Sequence, residues 1–186
     1  MNSQNTVWLI DAAYAIKMAI KLGFKIDWIK LRRCLEHRVG AFSGFYEAYY
    51  LNSAPDAPSQ ELTRFHHWLR SAPPQGPQIM VHLYPLKSEQ IFCQSCKCSS
   101  TKKIQKGVDV GIATLLLTTI DKYDAVVLLA GDGDFVDAVK YAKTHFKKKI
   151  VIAGFTGAVS TVLQSIADHV IWLDHEVPVF KRTHVA

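Results

Sequence analysis

At 186 residues, with 49% hydrophobic and 20% charged side chains, the chain suits one domain burying roughly 70% of its unfolded surface, and two full domains are excluded. No uncharged apolar run approaches the ~20 residues of a membrane span, and Met1–Asp11 lacks the basic start and long apolar core of a secretory signal, so no membrane partner and a soluble, cytoplasmic protein are expected. The formal charge of +6 and the pI near 9.1 favour polyanionic partners such as nucleic acid.

In chain order, Val7–Ile10 is a continuous apolar run ending at Asp11, the pattern of a buried central strand. Ala12–Leu22 lacks Pro and Gly and predicts a helix. Asp27 caps a second helix, Trp28–Val39, with Ile29, Leu31, Leu35 and Val39 on one broad apolar side. Aromatic-rich Phe42–Leu51 predicts a strand closed by a turn over Asn52–Ser59; Glu61–Leu69 predicts a helix broken by Pro73–Pro77, and Gln78–Tyr84 a further strand. Residues 85–106 show no period and form a Cys/Lys-rich insertion. Beyond Gly107 come a helix over Val108–Ile120, a strand over Ala125–Ala130, a helix over Phe135–Phe146, a strand over Ile150–Ala153, a helix over Val159–Ala167, a strand over Val170–Leu173 and a frayed tail from Lys181. Residues 1–186 thus form a single α/β domain: a mostly parallel sheet of five or six strands with helices on both faces.

Ala130-Gly131-Asp132-Gly133-Asp134-Phe135 sits between a buried strand and a helix, so Asp132 and Asp134 join Asp11 at the carboxyl ends of strands, where open α/β sheets bind ligands. Asp109, opening the helix after Gly107, can reach the same edge. Each of these residues could simply cap a helix; their joint placement raises the functional reading. Crowded carboxylates repel and raise one another's pKa, which a divalent cation relieves, and oxygen-only ligands select Mg²⁺ or Mn²⁺ over zinc. Such an ion activates water against a phosphodiester.

Cys93-x-x-Cys96-x-Cys98 has zinc-knuckle spacing but needs a fourth ligand, for which Cys34, His82 or a second subunit are candidates; reduced loop thiols are the alternative. Lys97, Lys102, Lys103 and Lys106 lead into Gly107–Asp109, and a basic tract beside an acidic site suits phosphate contacts, as it also suits a solvated loop. The cluster of Lys143 and Lys147–Lys149 is explained by the helix dipole. Adjacent His66 and His67 cannot share a metal on a helix, and Tyr46, Tyr49 and Tyr50 read as mostly core.

Val7–Asp11, Lys106-Gly107-Val108-Asp109-Val110, Gly131-Asp132-Gly133-Asp134-Phe135 and the Ser160–Leu163–Ala167–Asp168 spacing together resemble the NYN domain, in its LabA-like (DUF88) branch, from about residue 6 to 174. The resemblance implies a PIN-like (Rossmannoid) sheet and an acidic, metal-dependent ribonuclease site, with Asp11, Asp109, Asp132 and Asp134 as catalytic metal ligands and Asp168 as a peripheral family acid. Two departures stand out: Asp11-Ala12-Ala13-Tyr14 replaces the family's usual Asp-Gly-x-Asn, and Leu115 stands where members commonly carry an acid, a loss for which Asp137 is a candidate replacement.

Two functions therefore compete: a Mg²⁺- or Mn²⁺-dependent ribonuclease acting on single-stranded RNA, and a catalytically weak or inactive RNA- or protein-binding module, the latter favoured by Tyr14 and Leu115. A homodimer would extend the basic surface. A haloacid-dehalogenase-type phosphatase is disfavoured, because its Asp-x-Asp follows the first strand, whereas Asp132-x-Asp134 follows a late one.

Overall fold

Side chains alternate across a strand, so a strand apolar at every position must be covered on both faces. Strand β1 (Thr6–Asp11) meets that demand. Trp8 and Ile10 enter one core while Val7 and Leu9 enter the other, and all four are fully buried. The computed structural model describes residues 5–41, 44–92 and 94–183, the side chains of Lys87, Lys102 and Lys103 excepted.

Helices α1 (Ala12–Lys21), α2 (Trp28–Val39), α3 (Gln60–Arg70) and α7 (Val177–Phe180) cover the first face, supplying Met18, Trp28, Leu35, Leu69 and Phe180 to its core. Helices α4 (Val108–Thr118), α5 (Val136–Phe146) and α6 (Thr161–Ile166) cover the second with Ile112, Leu116, Val139 and Leu163. Between them lie β2 (Glu47–Ala54), β3 (Met80–Phe92), β4 (Ser99–Gln105), β5 (Ala125–Leu129), β6 (Lys149–Gly154) and β7 (His169–Trp172), in the order β4-β3-β2-β1-β5-β6-β7. The sheet has seven strands, more than the expected five or six: six run parallel, as a mostly parallel sheet requires, and β4 adds an antiparallel edge. The chain winds outward from β1 through β2 and β3 on one side, and through β5, β6 and β7 on the other. The topological switch point therefore falls between β1 and β5, where the carboxyl ends leave a crevice.

Several elements differ from the sequence reading. The aperiodic insertion is a β-hairpin: β3 runs on past Tyr84 to Phe92 and pairs with β4 from Leu86↔Gln105 to Phe92↔Ser99. Both of its faces are solvated, so no burial pattern marks it. Strand β2 begins at Glu47 and continues to Ala54, because Asn52–Ala54 pair with Leu83–Pro85; Phe42 lies outside the described residues, and Tyr46 is 52% exposed rather than core. Of the tail expected to fray, Lys181 and Arg182 are tied down, and residues 184–186 lie outside the described ones. Lys181 bridges Ile26, and Arg182 N–H donates to Lys25 O at 2.7 Å. Lys143 and Lys148 have definite partners beyond the helix dipole: the Asp168 carboxylate and Ile166 O for the first, Tyr123 O for the second.

Candidate functional site

Asp11 ends β1 and caps α1, its Oδ1 accepting from Tyr14 N–H at 3.0 Å. Asp132 follows β5 on the adjacent strand and accepts from Asp134 N–H at 3.2 Å, turning the chain through a 3₁₀ turn into α5. Asp109 lies in the first turn of α4, whose N-terminus is set by Gly107 at φ +91°. The capping role is real for Asp11 and Asp132, yet it leaves each of them a second carboxylate oxygen.

Electrostatics ties the acids together. The Asp11 carboxyl is pushed above its ordinary range, chiefly by burial and then by the charges of Asp109 and Asp132. Asp109 is pushed up as well, by partial burial and by Asp132 and Asp134. Acids from two strand ends and a helix start thus act electrostatically on one another at the carboxyl edge. Asp168 belongs elsewhere: Ile150 N–H and Lys143 hold it at the opposite, amino end of β6, and these partners outweigh burial and lower its pKa. Asp137 shares with Asp134, Gly133 and Ser160 a cleft of about 470 Å³.

The donor chemistry fits a hard divalent cation, because every donor is a carboxylate oxygen and their mutual repulsion is what such a cation relieves. Among the described residues, no three His, Cys, Asp or Glu side chains converge closely enough to hold an ion as they stand. The site is an open constellation, not a closed cage.

The glycines of the acidic turn have unequal roles. A Cβ on Gly131 would lie 2.0 Å from Ala158 O and 2.5 Å from the Tyr14 ring, whereas one on Gly133 would meet only Ser160 Oγ, at 3.2 Å. Tyr14 occupies the space beneath the turn. Its hydroxyl accepts from Phe155 N–H at 3.0 Å, and burial raises its pKa to about 12. Leu115 packs half-buried against the second core and cannot supply a ligand.

Residues that the sequence reading did not single out also reach this edge. Asn52 stands one position beyond the Leu51↔Asp11 pair and accepts from Gln105 Nε2 at 3.1 Å, tying the hairpin base to the crevice. The Tyr84 ring packs on Gly107 and Gly111 at the start of α4. The Asn52 position depends on β2 running past the expected end at Leu51.

The basic tract is spread along the hairpin. Lys97 lies at its exposed tip with φ +59°, on the order of 20 Å from the base at about 3.3 Å per residue. Lys106 is at the base but pairs with Glu89. The side chains of Lys102 and Lys103 lie outside the described ones. Of the zinc candidates, Cys93 lies outside the described residues, Cys96 and Cys98 are exposed, and Cys34 is buried on α2 with its thiol against Glu176. His82 packs edge-on against Tyr49.

A mostly parallel, doubly wound sheet flanked by helices on both faces is consistent with a PIN-like fold. The NYN domain matches residues 6–174, and the chain belongs to that family, whose members are generally nucleases that bind RNA and use divalent metals. No curated protein matches it. Among solved structures it is similar to a protein of unknown function from Vibrio parahaemolyticus RIMD 2210633, at 20% identity over 98% of this chain and 99% of that one, with a TM-score of 0.72. At that identity the likeness concerns the fold alone. No described helix is long and apolar enough to cross a membrane.

Proposed function

We propose that this chain is a Mg²⁺- or Mn²⁺-dependent ribonuclease of the LabA-like branch, hydrolysing single-stranded RNA at the carboxyl edge between β1 and β5. The observation that carries this reading is the shared field of Asp11, Asp109, Asp132 and Asp134, with burial and neighbouring charges raising the first two. These four carboxylates would hold the cation, which when bound supplies an activated water and charge neutralisation at phosphate. Asp11 and Asp132 are oriented for this by backbone N–H donors, and Asp109 by the helix start after Gly107. The hairpin lysines Lys97, Lys102 and Lys103 would contact flanking phosphates, and Lys106 would do so on exchanging Glu89 for phosphate.

End-labelled single-stranded RNA incubated with Mn²⁺, Mg²⁺ or EDTA, with Asp132→Asn alongside, tests the reading. Metal-dependent products that vanish in the folded variant support it, and intact RNA under every condition overturns it. The spread of the carboxylates favours a second reading, a module that binds RNA without cutting it. Salt-sensitive binding with no metal-dependent products would select that one.

A further inference from the structure

The net charge of +6 cannot reside at an acidic edge, so the cationic excess must gather elsewhere. One place is a groove on the α1/α2/α3 face. Two clefts, of about 880 and 500 Å³, share Arg182 and together are lined by Phe24, Lys25, Arg64, Trp68 and Lys181. Lys25, Arg64, Lys181 and Arg182 are exposed, and among the described residues none is paired with a carboxylate. Asp27 lines the second cleft, but it is occupied as the cap of α2 and lies 3.9 Å from Lys30. Phe65 and Trp68 stack with centroids 5.9 Å apart, half-buried beside Arg64.

Interior contacts join the groove wall to the acidic edge. Asp11 accepts from Tyr14 N–H, the Tyr14 hydroxyl accepts from Phe155 N–H, and the Phe155 ring meets Phe24 at 6.4 Å, on the groove wall. Helix α1 leads from Asp11 to that wall over ten residues, about 15 Å.

We propose that this groove binds the single-stranded RNA segment flanking the nucleotides held at the acidic site, its cations meeting phosphates and its aromatic rim offering base-stacking surface. The inference rests on the RNA reading of that site. Charge complementarity alone would admit an acidic peptide. Stackable rings beside unpaired cations, one length of α1 from Asp11, select a nucleic-acid strand, whose bases all present a π-face. The groove then sets a minimum substrate length, because a strand must extend some 15 Å beyond Asp11 to reach it.

The test is fluorescence anisotropy of the wild-type chain in Mg²⁺, using single-stranded RNAs of about five and about fifteen nucleotides with cleavage-resistant phosphorothioate linkages. Polyglutamate serves as the acidic-peptide probe. Reversing Arg64→Glu and Arg182→Glu together should weaken the longer RNA about tenfold or more, flatten its salt dependence by roughly 1.4 in slope for two lost phosphate contacts, and leave the shorter RNA within twofold. Trp68→Leu should weaken the longer RNA several-fold without changing that slope. Equal binding of the longer RNA by the reversed and parent proteins overturns the groove while leaving the acidic-site reading standing. Loss of polyglutamate binding with RNA binding unchanged assigns the groove to an acidic protein segment and likewise overturns the proposal. Failure of the parent to bind either RNA overturns the RNA reading of the acidic site along with it.

Discussion

Gly131→Ala and Gly133→Ala add the same methyl group on either side of Asp132 and should behave oppositely. At Gly131 the new Cβ would sit 2.0 Å from Ala158 O, well inside the 3.4–4 Å of ordinary contact, and 2.5 Å from the Tyr14 ring. Neither neighbour yields easily: Ala158 N–H is bonded to Phe155 O at 2.9 Å, Ser160 N–H to Gly131 O at 2.8 Å, and Tyr14 is pinned through its hydroxyl. The cost should reach the top of the overpacking range, about 3 kcal/mol, lowering Tm by roughly 6–12 °C in a domain this size. At Gly133 the obstacle is a serine hydroxyl at 3.2 Å that can rotate, and the reduced freedom of the unfolded chain compensates, so stability should stay within about 1 kcal/mol of wild type. Urea unfolding with unchanged m-values, run beside the RNA-cleavage assay, reads both. If Gly131→Ala unfolds within about 0.5 kcal/mol of wild type, the close approach of the Ala158 loop is not what the first glycine of the acidic turn provides.

The remaining predictions concern charge and the support beneath it. In EDTA, Asp109→Asn should be more stable than wild type at pH 7: a carboxyl with a raised folded pKa penalises the ionised fold, and that penalty fades as pH falls through the raised value. Denaturation curves at stepped pH should show the advantage vanish below the ordinary carboxylate value of 3.8, and a variant less stable at neutral pH would contradict the shared field. Asp168→Asn should do the reverse, because Asp168 is lowered; its contribution is present above 3.8 and lost as pH falls through the lower folded value, with cleavage unaffected. Mn²⁺ at 100 times its Kd should raise stability by about 2.7 kcal/mol, seen as a thermal shift that Asp132→Asn reduces. Tyr14→Phe should cost about 1–3 kcal/mol in thermal unfolding, since it orphans the buried Phe155 N–H.

What the amino-acid pattern reveals depends on how strongly burial constrains it. Strands β1, β5 and β6 are covered on both faces, so unbroken apolar runs mark them, and helix α2 carries its own start signal in Asp27, whose Oδ1 accepts from Lys30 N–H. The acids follow from those strands, because Asp11 and Asp132 can stand only at carboxyl ends. The hairpin escapes detection because Ile91 and Phe92 are 44% and 59% exposed, which leaves no face to alternate against. The tail escapes for another reason: Phe180 is fully buried and Lys181 bridges Ile26, a pairing across most of the chain that no local window contains. The groove shares that origin, since Lys25, Arg64 and Arg182 come from three distant stretches.

Tyr14 bears most directly on whether the acidic edge is a working site or a relic. Read against the family's usual amide, it looks like a lost functional residue. Its surroundings give it a structural role, because two glycines make room for it: a Cβ on Gly131 would press on its ring and one on Gly154 would come within 3.1 Å of its hydroxyl. That hydroxyl satisfies Phe155 N–H at the end of β6, while the backbone of the same residue donates to Asp11. One side chain thus braces the ends of β1, β5 and β6 against each other directly below Asp11 and Asp132. A fitted, hydrogen-bonded tyrosine with space conceded on two neighbouring strands is a packing element of the carboxyl edge, and RNA cleavage by wild type against Asp132→Asn decides between the working site and the relic.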